Sequence, residues 1–172
     1  MISSKLRQYF IRQNIDKYLK YVRKGEVHQI NEQVASIGIL TSEEFYRVED
    51  FQSRISEYLL PSRVKTYCFI RHDKTPKISS PFFTEKDFSW KGNVVQSELQ
   101  NFLDTNFDLL IGYFPKKNLF LEYASILSNA SFKAGFSGIH SQLFDLETMI
   151  SEDNLDGFFF ELHKYLKILN KL

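Results

Sequence analysis

The side chains able to bind or transform a ligand are few in this sequence, and six of them fall near the ends of apolar segments. Residues 107–114 and 131–136 read as short buried strands that end in glycine and small polar residues. In an open α/β sheet such strand ends line the ligand crevice. We therefore predict a site there for a small molecule or a phosphorylated metabolite, formed by Thr41, Ser42, Tyr113, Ser137, Gly138 and His140.

No catalytic, metal or cofactor motif accompanies these six residues. The four histidines are scattered, without an H-x-x-x-H or cysteine partner, so we expect no metal site. The turn at 40–44 has no glycine, which argues against dinucleotide and P-loop binding. The G-x-x-G of Gly135 and Gly138 could bring backbone amides to an anion, but a glycine turn is the simpler explanation. We expect no cofactor and no catalytic residue, and we favour a non-enzymatic interaction protein over the alternative of a small-molecule binding domain or weak transferase with its pocket at these strand ends.

Positive charge is concentrated in the first 30 residues, which carry seven Lys or Arg against two carboxylates, whereas the whole chain has a net charge of +1. This asymmetry is typical of a segment that meets nucleic acid, an anionic membrane surface or an acidic partner, and a solvated helix face also accounts for it. If the segment binds a partner, we predict that the partner is an RNA-containing or protein assembly. The residues that would contact it are Ile2, Lys5, Leu6, Arg7, Tyr9, Phe10, Arg12, Lys20, Arg23 and Lys24.

Residues 2–24 read as one basic amphipathic helix with two apolar faces. One face holds the helical stripe Ile11, Ile15, Tyr18, Leu19 and Val22. The other, nearly opposite at about 100° per residue, holds Ile2, Leu6, Tyr9 and Phe10. Either the helix bends near residue 10, or its first turns dock on a partner or on a second copy of the chain.

The elements that would position these residues alternate between strand and helix. Five apolar segments read as strands, the last with an uncertain boundary: 34–40, 64–70, 107–114, 131–136 and 143–150. The helices that follow or separate them are 41–59, which begins with a capping box of Thr41 and Glu44, then 94–103, 119–127 and 155–169. This alternation predicts a Rossmann-like α/β domain at 34–172, a mostly parallel twisted sheet of four to five strands with helices on both faces, after a basic helix and linker at 1–33.

The segment 71–93 has no clean period and reads as a long loop. A loop of that length inside a compact domain is usually functional or contains an unrecognised element. Its lysines and arginine alternate with aromatic residues, a mixture that could stack bases and contact phosphates. The other explanation, which we favour, is that the aromatic side chains anchor the loop to the sheet while the cations stay in water.

Composition points to a cytoplasmic protein. Apolar residues make up 43% of the 172-residue chain, enough for one domain with a substantial core. The lone Cys68 lies in an apolar run and cannot form a disulfide within the chain. No apolar segment has the length of a secretion signal or of a membrane span.

Three stretches carry a resemblance to a known family: FDLLIGY at 107–113, FKAGFS at 132–137 and ELHKYLKILNK at 161–171. The chain resembles, from Ser36 onward, an uncharacterised family of short cytoplasmic proteins from Bacteroidetes-type bacteria. The resemblance implies one α/β domain and supplies no activity, ligand or catalytic residue. More distantly, a strand ending in DLLI, a helix and then FKAGF is similar to the acceptor-side half of two-domain glycosyltransferases, with no counterpart of their nucleotide-sugar half.

Overall fold

The computed structural model describes residues 4–22, 33–48, 50–140, 142–151 and 154–172, without the side chains of Val22 and Val48. Its centre is a six-stranded, all-parallel sheet in the order β3-β2-β1-β4-β5-β6. The strands are β1 (Ser36–Ser42), β2 (Arg63–Phe69), β3 (Phe82–Phe83), β4 (Leu109–Tyr113), β5 (Lys133–Phe136) and β6 (Leu146–Thr148). Chain order reverses between β1 and β4, which makes that pair the switch point of a doubly wound sheet.

Helices cover both faces of this sheet. They are α1 (Ser4–Val22), α2 (Glu43–Val48), α3 (Phe51–Tyr58), α4 (Ser97–Leu103), α5 (Leu119–Leu127) and α6 (Leu155–Ile168). On one face α5 packs against α1, β1 and β4, whereas α3 packs against α6 on the other face. With helices on both sides, the central strands are buried on both faces, and every residue of β4 is buried. This explains why their sequences are continuous apolar runs.

Aromatic rings fill the two core layers. Tyr113 is fully buried beneath α2, α3 and α6, with its ring 5.1 Å from Phe51 and 5.2 Å from Phe158. On the opposite face Phe120 of α5 stacks on Phe69 of β2 at 5.6 Å. Each such ring pair contributes more stability than its buried apolar area alone would give.

Phe144 covers the sheet at its two glycines. A Cβ atom built on Gly112 would lie 2.6 Å from the Phe144 ring, and one built on Gly135 would lie 2.3 Å from it. Only glycine leaves room for the ring at these positions. Gly135 is therefore a packing residue in β5, and the G-x-x-G spacing that begins with it does not form a continuous loop.

The sheet has one more strand than the four to five predicted, because β3 lies inside the segment 71–93. A two-residue strand with a preceding proline gives no alternating pattern, so only its pairing with Cys68 and Phe69 reveals it. Phe83 and Phe88 of the segment are fully buried, whereas Lys74, Lys77, Lys86 and Lys91 are exposed. The interpretation that the aromatic residues anchor this segment is thus confirmed for these two rings.

The predicted helix 41–59 is wrong as a single element. β1 continues to Ser42, and two short helices follow, the second capped by the Asp50 side chain, which accepts from the Ser53 amide at 3.1 Å. The predicted capping box is also wrong, because Thr41 is buried in β1 and its hydroxyl donates to the Tyr113 carbonyl at 2.8 Å. The strand pattern and the cap signature overlap at this residue, and the buried strand position determines its role.

The first helix joins the core through one face only. Ile11, Ile15 and Leu19 are buried, and the Asn14 amide donates to the Tyr123 hydroxyl of α5 at 3.1 Å. The first turns extend beyond this contact: Leu6 is 42% exposed and Tyr9 is 57% exposed. Three of the predicted partner residues, Ile2, Arg23 and Lys24, lie outside the described residues.

Candidate functional site

A cleft of about 480 Å³ opens at the carboxyl ends of β1, β2 and β4, at the switch point of the sheet. On its wall, Ser42 ends β1, Phe69 ends β2 with Ile70 after it, and Phe114 follows β4. Crevices of this kind form because neighbouring crossovers leave the sheet edge on opposite faces. The volume is in the range typical of sites for small metabolites.

Basic side chains dominate the charge of this switch-point cleft. Five exposed cationic residues line it against two carboxylates, Glu43 and Glu44; the cations are Arg47, Arg71, Lys74, Lys116 and Lys117. Glu43 already accepts a hydrogen bond from the Lys77 backbone amide at 3.0 Å. The cations come from α2, from the segment after β2 and from the turn after β4, so three separate parts of the chain converge here. A concave surface of one predominant charge concentrates ions of the opposite sign.

The amino end of α5 also borders the cleft. The Asn118 side chain accepts from the amides of Phe120 and Leu121, each at 3.1 Å, so it caps the first turn. These two amides are therefore already paired. The helix contributes the positive end of its dipole to the cleft, which favours an anion near Asn118.

A second cleft of about 310 Å³ lies beside the first turn of α5, with Lys117 lining both clefts. Its titratable residues are Arg12, Asp16, Lys117, Glu122 and His140. Only 6% of Glu122 is exposed, although carboxylates are rarely buried without a specific role or partner. Ile15 and Leu119 supply the apolar part of the lining.

The environment of Glu122 disfavours its charged form. Burial raises the pKa of the Glu122 carboxyl above its ordinary value. The nearby His140 is the largest opposing effect, followed by a hydrogen bond from the Asn118 backbone. A buried carboxyl with a raised pKa in an open cleft is typical of a binding or proton-transfer residue.

The six residues predicted at the strand ends do not all face one cavity. Ser42 lines the switch-point cleft and His140 lines the second cleft. Thr41 and Tyr113 have no exposed surface, and they bond to each other through the Thr41 hydroxyl. Ser137 donates its amide to the Thr148 carbonyl at 3.0 Å, and Gly138 follows in an exposed turn with φ of +78°. Backbone pairing and the turn conformation thus account for the last two.

The predicted partner residues that the structure describes lie along α1. Lys5, Leu6, Tyr9, Arg12 and Lys20 are exposed, and Arg7 and Phe10 are half-buried. Phe10 is held in this chain by an edge contact with Trp90 at 5.2 Å. Arg12 also lines the second cleft, which connects the basic helix with the ligand edge of the sheet.

The sequence analysis missed most of the basic residues of the switch-point cleft. Lys116, Lys117 and Asn118 follow a buried strand directly, which is a usable signal for a loop at the ligand edge. Arg47 gave no such signal, because it lies on a short helix within a pattern that reads as one longer helix. Glu122 was hidden in the same way, since a lone carboxylate inside an apolar helix has no distinguishing spacing.

Two structural absences hold for the part of the chain that is described. Among those residues, no group of three or more His, Cys, Asp or Glu side chains is arranged to hold a metal ion. Nor does any helix in the described ranges have the length and apolar character needed to cross a membrane.

The all-parallel sheet and its edge cleft define a doubly wound α/β protein with a single domain. The chain belongs to DUF6913, a family of unknown function whose model matches residues 7–169. No curated protein and no solved structure matches the chain. The expectation of an uncharacterised family is thereby confirmed, and the site must be interpreted from its own geometry.

Proposed function

We propose that this protein binds a small phosphorylated metabolite in the switch-point cleft. The observation that carries the proposal is the convergence of five cationic residues on a cavity of about 480 Å³ at the carboxyl edge of a parallel sheet. The position is where open α/β sheets bind their ligands, and the charge selects an anion. Asn118 adds the positive end of the α5 dipole.

The chemical form of the cleft favours a phosphate group over a carboxylate. Arg47 can present a planar fork of donors, and the lysines add point charges around it. Arg71 already donates through Nη2 and Nε to Asp73 at 2.8 and 3.1 Å, which leaves the Nη1 group of its guanidinium for a ligand. A phosphate carries more charge and more acceptor oxygens than a carboxylate, so it engages more of these donors.

Thermal unfolding with a panel of phosphorylated metabolites tests this proposal. A ligand at a hundred times its dissociation constant stabilises the folded state by about 2.7 kcal/mol, and this corresponds to a rise in melting temperature of about 5–10 °C for a chain of this size. The variant Arg47→Gln with Lys74→Gln removes two cations from the cleft and should lose most of that rise.

The control variant removes the same number of positive charges from positions outside both clefts. Lys86→Gln with Lys167→Gln removes two exposed cations that line neither cleft, and it should retain the full ligand effect. If no phosphorylated compound raises the melting temperature, or if both double variants respond equally, the proposal fails.

A second candidate function, the binding of single-stranded RNA, rests on a different surface. We define the aromatic patch as Tyr9, Phe10 and Trp90. Its rings form a chain of edge contacts, 5.6 Å between Tyr9 and Phe10 and 5.2 Å between Phe10 and Trp90. The Lys91 ammonium lies 4.9 Å from the Trp90 ring centre. Exposed rings beside cations are the combination that binds single strands by stacking and charge.

Trp90 is the one tryptophan of the chain, so its fluorescence reports directly on the aromatic patch. Titration with single-stranded RNA should quench this fluorescence, with an affinity that falls as salt is added. Tyr9→Ala should weaken the binding, whereas Tyr165→Ala, an exposed tyrosine on α6, should not. The absence of quenching, or quenching that is insensitive to Tyr9, would exclude RNA at this surface and leave a protein partner or a second copy as the occupant.

The remaining predictions concern the setting of the protein. A cytoplasmic location in a Bacteroidetes-type bacterium is proposed from the family resemblance and from Cys68, which is buried as a free thiol. Fractionation of the native host, with an antibody against the protein, would test it.

A further inference from the structure

We infer that the second cleft binds the hydroxyl-bearing part of the ligand whose phosphate occupies the switch-point cleft, with Glu122 and His140 as the recognising side chains. This inference rests on the proposed function and names the class of ligand, a phosphorylated sugar or polyol.

The two clefts are neighbours around one short piece of chain. Lys117 lines both of them, and the next residues of the α5 first turn alternate between the two cavities. Asn118 and Leu121 face the switch-point cleft, whereas Leu119 and Glu122 face the second one. A ligand held by Lys117 at its phosphate can therefore extend past the amino end of α5 and enter the second cleft.

The lining of the second cleft favours neutral hydroxyl groups over a second anion. Its two acidic residues, Asp16 and Glu122, accompany two cations, Arg12 and Lys117, so the lining lacks the excess of positive charge that characterises the switch-point cleft. A carboxylate accepts hydrogen bonds from hydroxyl groups, and a protonated carboxyl also donates one. His140 adds a ring nitrogen beside it, and Ile15 and Leu119 give the carbon skeleton an apolar surface.

Because Glu122 is buried, it can discriminate between ligands with and without a hydroxyl group. The Asn118 backbone already donates a hydrogen bond to the Glu122 carboxyl, and a ligand hydroxyl that adds another bond at this buried position gains more than it would at the surface. An analogue without the hydroxyl leaves the carboxyl without that partner. Selectivity of this kind comes from the additional buried hydrogen bond, which only a ligand with the hydroxyl can make.

Calorimetric titration with four probes tests the inference: inorganic phosphate, ribose 5-phosphate, glucose 6-phosphate and ribose. At least one sugar phosphate should bind about tenfold to a hundredfold more tightly than inorganic phosphate, the range expected for about two hydrogen bonds, one to Glu122 and one to His140. Glu122→Leu should reduce this ratio and leave phosphate affinity unchanged or higher. His140→Ala should reduce the ratio independently, so the test stands if the Glu122 variant does not fold.

The outcomes separate the two proposals. If inorganic phosphate and the sugar phosphates bind equally well, or if both variants keep the preference for sugar phosphates, the second cleft does not bind hydroxyl groups. The proposal of an anion site in the switch-point cleft would then remain without this inference. If neither phosphate nor any sugar phosphate binds, the switch-point proposal fails and this inference fails with it. An equal loss of affinity for all phosphorylated probes in Glu122→Leu would indicate a structural role for Glu122 and overturn the inference.

Discussion

Replacing Lys133 by methionine should make this protein more stable at neutral pH. Lys133 lies on β5 with only 9% of its surface exposed. Its ammonium donates to the Ile126 carbonyl at the end of α5, at 3.3 Å, and lies 6.0 Å from the Tyr18 ring centre. Burial lowers the pKa of Lys133 from 10.5 to about 8, although Asp145 acts in the opposite direction. The folded protein therefore holds a proton at neutral pH that its surroundings disfavour.

The magnitude follows from the shift in pKa. A difference of about 2.5 between the unfolded and folded states corresponds to about 3 kcal/mol of lost stability below pH 8, where Lys133 is charged in both states. Methionine removes this effect but also removes the hydrogen bond to Ile126, which contributes about 1 kcal/mol. The net gain expected for Lys133→Met at pH 7 is about 2 kcal/mol.

The gain must shrink as pH rises. Between pH 8 and 10.5 the unfolded chain binds the Lys133 proton and the folded chain does not, so the contribution of Lys133 to wild-type stability increases with pH. By pH 9.5 the advantage of Lys133→Met should have fallen by about 2 kcal/mol, to nearly zero. The Cys68 thiol has the opposite effect on the pH dependence of stability. Burial raises the pKa of Cys68 to about 12, so its contribution to stability falls above pH 9. The difference between variant and wild type cancels the Cys68 effect.

Urea unfolding of both proteins between pH 7 and pH 9.5 measures this difference. Lys65→Met, at an exposed position on β2, is the matched strand control. An advantage for Lys133→Met that does not change with pH would refute the titration argument. A loss of stability at pH 7 would show that the contacts of the ammonium outweigh the effect of its burial.

Three further substitutions test the packing and the titration of the core. Gly135→Ala places a methyl group against the Phe144 ring and should destabilise the fold by about 1–3 kcal/mol. The double variant Gly135→Ala/Phe144→Leu should recover part of this stability in urea unfolding. If the free-energy changes of the two single substitutions simply add in the double variant, the contact is contradicted. Asp108→Ala removes a carboxylate that accepts from two backbone amides and from the Ser36 hydroxyl at 2.7–3.1 Å. It should cost about 2–3 kcal/mol and speed hydrogen exchange at residues 35–36, while unchanged exchange would indicate that the contact is weak. Relative to the wild type, Cys68→Ala should gain stability as pH rises from 9 to 10.5, because only the wild type carries the buried thiol; a difference that does not change with pH would contradict the raised pKa of Cys68.

The sequence alone determined the elements whose patterns are local and long. The helix predicted at 119–127 coincides with α5, and the stripe of 155–169 matches α6 to within one residue. Four strands and the doubly wound class were also predictable, because strands buried on both faces must be apolar throughout. A helical stripe reports which face is buried, and this information is contained in about a dozen neighbouring residues.

Tertiary structure decided the strand order, the third strand and both clefts. β3 has two residues and is defined only by its pairing with β2. Arg47, Arg71 and Lys117 come from three separate parts of the chain, and they meet only because β1 and β4 are neighbours at the switch point. The buried position of Glu122 depends likewise on how α1 packs against α5. Residue patterns report the surface that an element buries, but the partner on that surface is fixed by packing between distant segments, and the ligand edge of this protein consists of such contacts.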